Sequence, residues 1–238
     1  MTTTLHLLCA GAAQGLVQAL QPGFEHAHCV QLLARFGAVG AMQDALRSGR
    51  ECDVFLATDA MIVAMQGSGE LRPETRAVLG VVRTGVAAPS GQPLPDVGSV
   101  AALTSSLLAA SAVYVPDLQR STAGLHFSGV LVQLGIRDAM DRRLRQFPNG
   151  ATAMRELAAR AQPGALGCTQ VTEIRYTPGV VLAGVLPESC ALATLYTAAI
   201  ASGAQSPELA RRFVEQLAGP ASRTLRVQGG FETDRRGS

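Results

Sequence analysis

Short apolar runs alternate with helix-like stretches along most of this chain, and this alternation constrains its fold more than any other feature. Runs of this length and composition are typical of buried strands. Strands that alternate with helices form α/β folds whose sheets are largely parallel. The sequence therefore predicts an α/β architecture. The runs interpreted as strands are residues 5–9, 29–36, 53–57, 78–82, 112–115, 165–169 and 180–186.

Turns of small or hydroxyl-bearing residues follow four of these predicted strands, at residues 10–15, 37–41, 120–124 and 169–172. The first amides of a helix have no partner inside the helix, so a helix N-terminus attracts anions. In open α/β sheets, ligands bind beyond the carboxyl ends of the strands. An ordinary helix cap explains any one of these turns alone, but their repetition predicts a site for a small anion.

The turn within Asp117–Phe127 offers the richest chemistry of the four. Ser121 and Thr122 can donate hydroxyl hydrogen bonds, and Arg120 can add positive charge. His126 falls in the first turn of the helix that follows. That histidine could reach a bound anion or simply lie half buried, and the sequence does not decide between the two.

The helical stretches are predicted at residues 16–20, 41–47, 60–66, 99–110, 124–134, 151–161, 190–202 and 207–217. Pro22 and Gly23 are expected to end the first of them, and Asp59 to cap the third. Residues 137–145 are strongly basic and are interpreted as a solvent-exposed face. Arg83 and Thr84 are expected to interrupt a long apolar run. An arginine there is costly unless it is paired, lies at a cleft, or faces solvent on an edge strand.

Composition excludes several classes of function. The chain has 238 residues, 47% of them hydrophobic and 16% charged, which is enough for one large or two small domains. A net charge of +2 is too small to indicate binding to nucleic acid or to an acidic membrane. All 20 basic residues are arginines, so lysine chemistry is excluded. Arginine favours planar, bidentate partners such as carboxylates.

The five cysteines lie mostly in apolar runs and have no CxxC spacing, which predicts buried, reduced thiols. His26, His28 and Cys29 look like metal ligands, but no fourth ligand follows nearby, so we expect the polar edge of a strand and no bound metal. No leader sequence and no transmembrane-length run is evident. The expected location is therefore cytoplasmic, or periplasmic if an N-terminal segment has been removed. No membrane embedding is expected.

Several motifs, in order, resemble the molybdate-binding-protein-like family of type II periplasmic solute-binding proteins. They are the turn at 10–13, Phe36-Gly-Ala-Val-Gly40, the segment 48–57, Ser121-Thr-Ala-Gly-Leu-His126, Leu134-Gly-Ile136, Leu166-Gly167 and the helix at 213–217. The resemblance implies two α/β lobes with the ligand in the cleft between them. One lobe would contain residues 1–82 and 186–238 and the other 83–185, with hinge crossings near 82–87 and 182–186.

The chain departs from that family at the serines with which molybdate and sulfate binders hold their oxyanion. Its first two turns carry only alanine, glycine and valine, and losing donors worth about 1–3 kcal/mol each predicts weak molybdate binding. Fixed positive charge from arginine suits a carboxylate better. The residues predicted to bind the ligand are Gly11, Ala12, Ala13, Val39, Gly40, Arg83, Thr84, Arg120, Ser121, Thr122, Ala123, Gly124, His126 and Gln170.

Three functions remain open from the sequence. The first is binding of a small di- or tricarboxylate, as a solute-binding protein or a sensor; a transporter partner is possible but not implied. The second is a cofactor-free isomerase acting on a small polycarboxylate by proton transfer, because an aconitate isomerase is similar to this family. Its base would come from His126, Glu173 or Cys168. The third is a molybdate- or sulfate-type oxyanion binder that uses backbone donors alone. No cofactor is expected for any of them.

Overall fold

A computed structural model describes residues 3–233 of the chain. Strands and helices alternate through most of it, which confirms the predicted α/β class. The backbone contacts divide the chain into two compact units, Met1–Val82 with Thr194–Ser238, and Arg83–Ala193. No helix among the described residues is both long enough and apolar enough to cross a membrane.

The first unit contains four strands that pair with one another and five helices. The strands are β1 (Thr3–Ala10), β2 (Val30–Gly37), β3 (Val54–Thr58) and β9 (Ala193–Ile200). The helices are α1 (Gln14–His28), α2 (Val39–Arg47), α3 (Asp59–Gly67), α9 (Pro207–Ala218) and α10 (Arg223–Gly229). A further strand, β4 (Ala77–Pro89), begins in the first unit and continues into the second.

The carboxyl ends of three strands lie at one edge of the first unit's sheet. β1 pairs in parallel with β2, with Ala10 opposite Gly37, and also with β3. β9 runs antiparallel to β3 and places Tyr196 opposite Thr58. The turns into α1, α2 and α3 therefore start from the same edge, as expected for parallel strands.

Asp53 organises the opposite edge of this sheet. Its carboxylate is buried and accepts the backbone amides of His6 at 2.8 Å, Gln205 at 2.8 Å and Ser206 at 3.0 Å. Charge-assisted hydrogen bonds of this kind are the stronger ones in proteins. One side chain thus ties the start of β3 to β1 and to the segment before α9.

The outer edge of β2 is closed at one point by side chains of α1. Glu25 accepts the backbone amide of Leu32 at 2.8 Å, and Gln21 donates to the carbonyl of Leu32 at 3.1 Å. Gln21 also donates to Glu25 at 2.9 Å, which fixes both side chains. Both outward-facing backbone groups of Leu32 are therefore satisfied within the chain.

The second unit contains strands β5 (Val113–Pro116), β6 (Leu144–Phe147), β7 (Leu166–Gln170) and β8 (Val180–Val185), together with the end of β4. Its helices are α4 (Val100–Ala109), α5 (Thr122–Gln133), α6 (Arg137–Met140), α7 (Gly150–Arg160) and α8 (Val171–Arg175). β5 pairs in parallel with β6 and with β7, while β4 runs antiparallel to both β7 and β8.

Two apolar clusters support this second sheet. One packs α4 and α5 against the strands through residues such as Leu103, Phe127 and Leu131, and it includes Cys168. The other packs α7 through Met154 and Leu157. Both clusters consist mainly of apolar side chains, which hold the sheet between the helices.

The prediction of a helix at 190–202 is wrong, because residues 193–200 form β9. The segment is rich in alanine, which favours helix. Pairing with β3 decides the outcome: residues 196–200 are buried in the sheet, and Thr-Leu-Tyr-Thr suits a strand.

Several other predicted boundaries also differ from the structure. α1 runs through Pro22 to His28, held by contact of Phe24 with Phe213 at a ring distance of 4.8 Å. β4 is one unbroken strand of 13 residues that includes Arg83. α3 begins at Asp59, which binds Arg76 rather than capping the helix. The basic run contains α6 and β6.

The histidines that look like metal ligands lie in α1 and not on a strand edge, so that interpretation is also wrong. Cys29 ends this helix in the left-handed region, at φ 52°. No group of three or more His, Cys, Asp or Glu residues within residues 3–233 could hold a metal ion.

Candidate functional site

The carboxyl edge of the second unit's sheet brings residues of four strands together. Pro116 at the end of β5 lies opposite Phe147 at the end of β6, and β7 runs parallel beside β5 to end at Gln170. The antiparallel β4 brings Thr84 opposite Gln170. Residues far apart in sequence thus meet at one edge, next to the starts of α5, α7 and α8.

Ser121, predicted to donate to the ligand, caps α5, which is the alternative that the sequence left open for this turn. Its hydroxyl accepts the amide of Gly124 at 2.9 Å and donates to the carbonyl of Asp117 at 2.8 Å. Gly124 cannot be replaced without strain, because a Cβ there would lie 2.1 Å from the Asp117 carbonyl oxygen. The turn is therefore tightly built around the hydroxyl of one serine.

The backbone amides of this turn are only partly available to a ligand. The carboxylate of Asp117 accepts the amides of Gln119 at 2.8 Å and Arg120 at 3.0 Å. The amide of Ser121 donates to the carbonyl of Asp117 at 3.2 Å. The amides of Thr122 and Ala123 belong to the first turn of α5, where no acceptor exists inside the helix. These two amides lie at the positive end of a helix of 12 residues.

Three buried side chains at this edge carry polar atoms without partners. Among the described residues, the hydroxyls of Thr84 and Thr172 and both amide atoms of Gln170 make no hydrogen bond. All three side chains are at most 2% exposed. Buried polar groups are nearly always paired in native proteins, and the exceptions often mark functional sites.

A second helix N-terminus at the same edge already holds an anion from the chain itself. Glu173 in α8 accepts the amide of Ala151 at 3.2 Å and the hydroxyl of Thr169, and its carboxylate also bonds the amides of Gly150 and Gln170. A Cβ at position 150 would lie 2.0 Å from Glu173 Oε2, so only glycine leaves room for this contact. Burial raises the pKa of Glu173, and the four hydrogen bonds oppose that rise.

The other two residues proposed as bases are placed differently. Burial raises the pKa of Cys168 well above its ordinary value, so its thiol stays protonated near neutral pH. His126 is half buried, and its Nε2 donates to the carbonyl of Cys190 at 2.8 Å. In the neutral imidazole this bond leaves Nδ1 as the acceptor nitrogen.

Arg83 and Arg120 also belong to the second unit, and each already makes an interaction within the chain. Arg83 is next to Thr84 on β4, and neighbouring strand residues point to opposite faces of a sheet. Arg120 is exposed in the turn before α5. Their contribution to a ligand site stays a prediction.

The carboxyl edge of the first unit also carries small residues and helix N-termini, but fewer hydroxyl-bearing side chains. Gly11–Ala13 forms a buried helical turn before α1, and Val39 and Gly40 begin α2. No side chain caps either helix, so the donors there are backbone amides. The buried hydroxyls of Thr194 and Thr197 on β9 make no hydrogen bond among the described residues.

Sequence reasoning missed three of these polar residues, Thr172, Thr194 and Thr197. The last two were hidden by the wrong assignment of 190–202 as helix, although the alternating Thr-Leu-Tyr-Thr pattern was a signal for a strand. Thr172 lies within one of the turns that the sequence marked, but only its burial distinguishes it.

A cavity of about 800 Å³ lies beside β1 and β2 of the first unit. Its walls include His6, Arg35, Arg50 and Glu51, and His6 contacts Glu51 at 3.3 Å. None of the residues predicted to bind the ligand lines this cavity. This cavity therefore lies apart from the residues predicted to bind the ligand.

In α/β sheets, a strand edge that carries helix N-termini, small residues and unpaired hydroxyls is a typical place for a small solute to bind. The chain matches the model of the bacterial extracellular solute-binding proteins over residues 5–232 and belongs to that family. The resemblance predicted from the sequence and the type II periplasmic-binding fold are both confirmed.

Individual relatives carry different functions. A protein described as aconitate isomerase from a Pseudomonas species is 28% identical over 222 residues, which cover 91% of this chain and 82% of that protein. The periplasmic molybdate-binding protein of Azotobacter vinelandii has a TM-score of 0.80 at 18% identity, and the match covers 97% of this chain and 100% of that protein's chain. The sulfate-binding protein of Mycobacterium tuberculosis has a TM-score of 0.74 at 13% identity, with 98% and 88% covered.

Proposed function

We propose that this protein binds a small organic anion, a di- or tricarboxylate, at the carboxyl edge of its second unit. The observation that carries the proposal is the group of unpaired, buried polar atoms on Thr84, Gln170 and Thr172. They share an edge with the amides of Thr122 and Ala123 at the start of α5. A carboxylate accepts hydrogen bonds from all of these donors.

Several features favour a carboxylate over a tetrahedral oxyanion. The first two turns of the chain carry no serine or threonine, and the hydroxyl of Ser121 is engaged both as donor and as acceptor. The amide of Gln170 can both donate and accept, which suits an organic acid with hydroxyl or ester-like groups better than a bare oxyanion. The sequence relative described as aconitate isomerase supports the same ligand class.

Other predicted residues are part of this proposal. Gly11, Ala12, Ala13, Val39 and Gly40, at the carboxyl edge of the first unit, stay predicted amide donors to an anion, and Arg83 and Arg120 stay proposed sources of positive charge. A transporter partner remains an open proposal because the family is one of extracellular solute-binding proteins. The predicted cytoplasmic location stays a prediction.

A second candidate function is isomerisation of a polycarboxylate, and the aconitate isomerase relative favours it. Proton transfer at a carbon next to a carboxylate needs a base and donors for the developing charge. Of the three predicted bases, His126 fits best, because its Nδ1 can accept a proton while Nε2 holds the Cys190 carbonyl. Glu173 is fully engaged by hydrogen bonds, and Cys168 is protonated.

Thermal unfolding of the full chain with millimolar malonate, citrate, cis-aconitate, trans-aconitate, sulfate and molybdate tests the ligand class. A micromolar Kd at 1 mM ligand adds about 4 kcal/mol of stability. We expect the carboxylates to raise Tm and molybdate to leave it unchanged. A rise with molybdate alone would contradict the proposal.

Incubation with cis-aconitate in deuterated water then separates binding from catalysis. Deuterium incorporation or formation of the trans isomer, lost in His126→Asn, would support the isomerase. Binding without exchange or conversion would leave the protein as a binder.

A further inference from the structure

Two long helices begin at the carboxyl edge of the second unit, and their N-termini are used differently. In α5 the amides of Thr122 and Ala123 have no acceptor inside the helix, whereas the first amides of α7 bond to the carboxylate of Glu173. Of these two helix N-termini, that of α7 is therefore occupied by a carboxylate of the chain itself, that of Glu173.

Glu173 lies next to the polar atoms proposed to hold the ligand. The backbone amide of Gln170 bonds to its carboxylate, and Thr172 is its neighbour in sequence. Glu173 is 6% exposed, so little solvent screens its charge. A negative charge in this position acts on an anion held by Gln170, Thr172 and the start of α5.

We propose that Glu173 is a specificity-determining residue, whose buried carboxylate lowers the affinity of this edge for an anion as the charge of that anion increases. The inference rests on the proposed function, because it assumes that the anion binds at this edge. The carboxylate of Glu173 at the N-terminus of α7 would then make the site bind acids of low charge in preference to acids of high charge.

Two other titratable side chains lie on elements next to Glu173, Cys168 on β7 and Tyr176 directly after α8. Burial raises the pKa of both, so both stay protonated near neutral pH. The charged residues of the helices packed around it are Arg155, Glu156 and Arg160 on α7 and Arg175 on α8. Arg155, Arg160 and Arg175 are exposed, Glu156 is partly exposed, and none of the four contributes to the pKa of Glu173. Burial and hydrogen bonds alone set that pKa. An anion nearby should raise it further, so binding should be accompanied by proton uptake.

Calorimetric titration of the full chain with glutarate, which has two carboxylates, and tricarballylate, which has three, tests the inference. The variants are Glu173→Gln, which removes the charge, and Glu156→Gln, a matched change on the partly exposed surface of α7. We expect Glu173→Gln to improve affinity for tricarballylate relative to glutarate by about fivefold to tenfold at low salt. The gain should grow from pH 6 to pH 8.5, and Glu156→Gln should show none.

A purely structural role for Glu173 would change both affinities by one common factor at every pH, and that result would overturn the inference. If Glu173→Gln does not fold, Thr169→Val removes a hydrogen bond that favours the ionised carboxylate. That variant should shift the ratio in the same direction, and an unchanged ratio would equally overturn the inference. If neither acid binds the wild-type protein, the proposed function itself is wrong and the inference falls with it.

Discussion

Thr84 on β4 lies directly opposite Gln170 on β7, and neither side chain has a hydrogen-bond partner among the described residues although both are buried. In the free protein these two buried side chains lack hydrogen bonds, and this lack costs free energy. A ligand that forms hydrogen bonds with them removes that cost. This relationship leads to a test that separates a binding role from a structural one.

Thr84→Val should stabilise the free protein by up to about 1 kcal/mol, because it replaces an unpaired buried hydroxyl with a methyl group. The same change should weaken binding of a dicarboxylate by about fivefold or more. Urea unfolding and calorimetric titration measure the two effects. Thr177→Val is the matched control: its hydroxyl donates to the Glu173 carbonyl at 2.7 Å, so that variant should lose about 1–2 kcal/mol. Loss of stability in Thr84→Val would show that its hydroxyl is paired.

Gly124→Ala should destabilise the protein by about 2–4 kcal/mol, because the new Cβ would lie 2.1 Å from the Asp117 carbonyl and break the Ser121 cap. Gly129→Ala on the same helix is the control. No atom lies within 4 Å of a Cβ at position 129, so helix propensity should stabilise that variant by up to about 1 kcal/mol. Denaturant titration compares the pair, and equal effects would contradict the described turn.

Asp53→Ala should cost about 3–4 kcal/mol, since three backbone amides lose the buried carboxylate that accepts them. Binding of the proposed anion should persist in conditions where the variant remains folded, because Asp53 lies at the opposite edge of the first unit's sheet from its carboxyl-end turns. Asp141→Ala, which removes an exposed i,i+4 pair with Arg137, should change stability by less than about 0.5 kcal/mol. Similar losses in both variants would refute the role assigned to Asp53.

Glu173 should make stability depend on pH in a defined direction. Its pKa is raised in the folded state from the ordinary value of 4.5, so the folded protein binds this proton more tightly than the unfolded chain. The associated stability is complete below about pH 4.5 and is lost as pH rises through the folded pKa. The unfolding free energy of wild type minus that of Glu173→Gln should therefore decrease as pH rises from 4.5. An increase over that range would mean that hydrogen bonds outweigh burial.

Local patterns in the sequence predicted much of the fold. The strands at 5–9 and 112–115 and the small turns after them are determined by residues that are neighbours in the sequence. They could therefore be predicted from the sequence alone. The strand at 193–200 could not, because its alanine-rich composition favours helix and only pairing with β3 makes it a strand.

The candidate site was predicted less completely for the same reason. The Ser121 cap is encoded within four residues, and the sequence left it open as an alternative. The contact of Glu173 with Ala151 spans 22 residues, and the pairing of Thr84 with Gln170 depends on sheet topology. Glu173 was proposed as a base because no sequence pattern reveals that a carboxylate is already bonded to a distant helix.

The hydrogen bonds of Gln21 and Glu25 with Leu32 on β2 affect whether two copies of this protein can pair along that strand. An exposed strand offers a row of free amides and carbonyls on which a neighbouring chain can add a strand. At Leu32 that row is broken, since both groups are committed to the molecule's own first helix. Two copies that meet along this border find no continuous ladder to extend, so crowding alone should not drive them into edge-paired aggregates there.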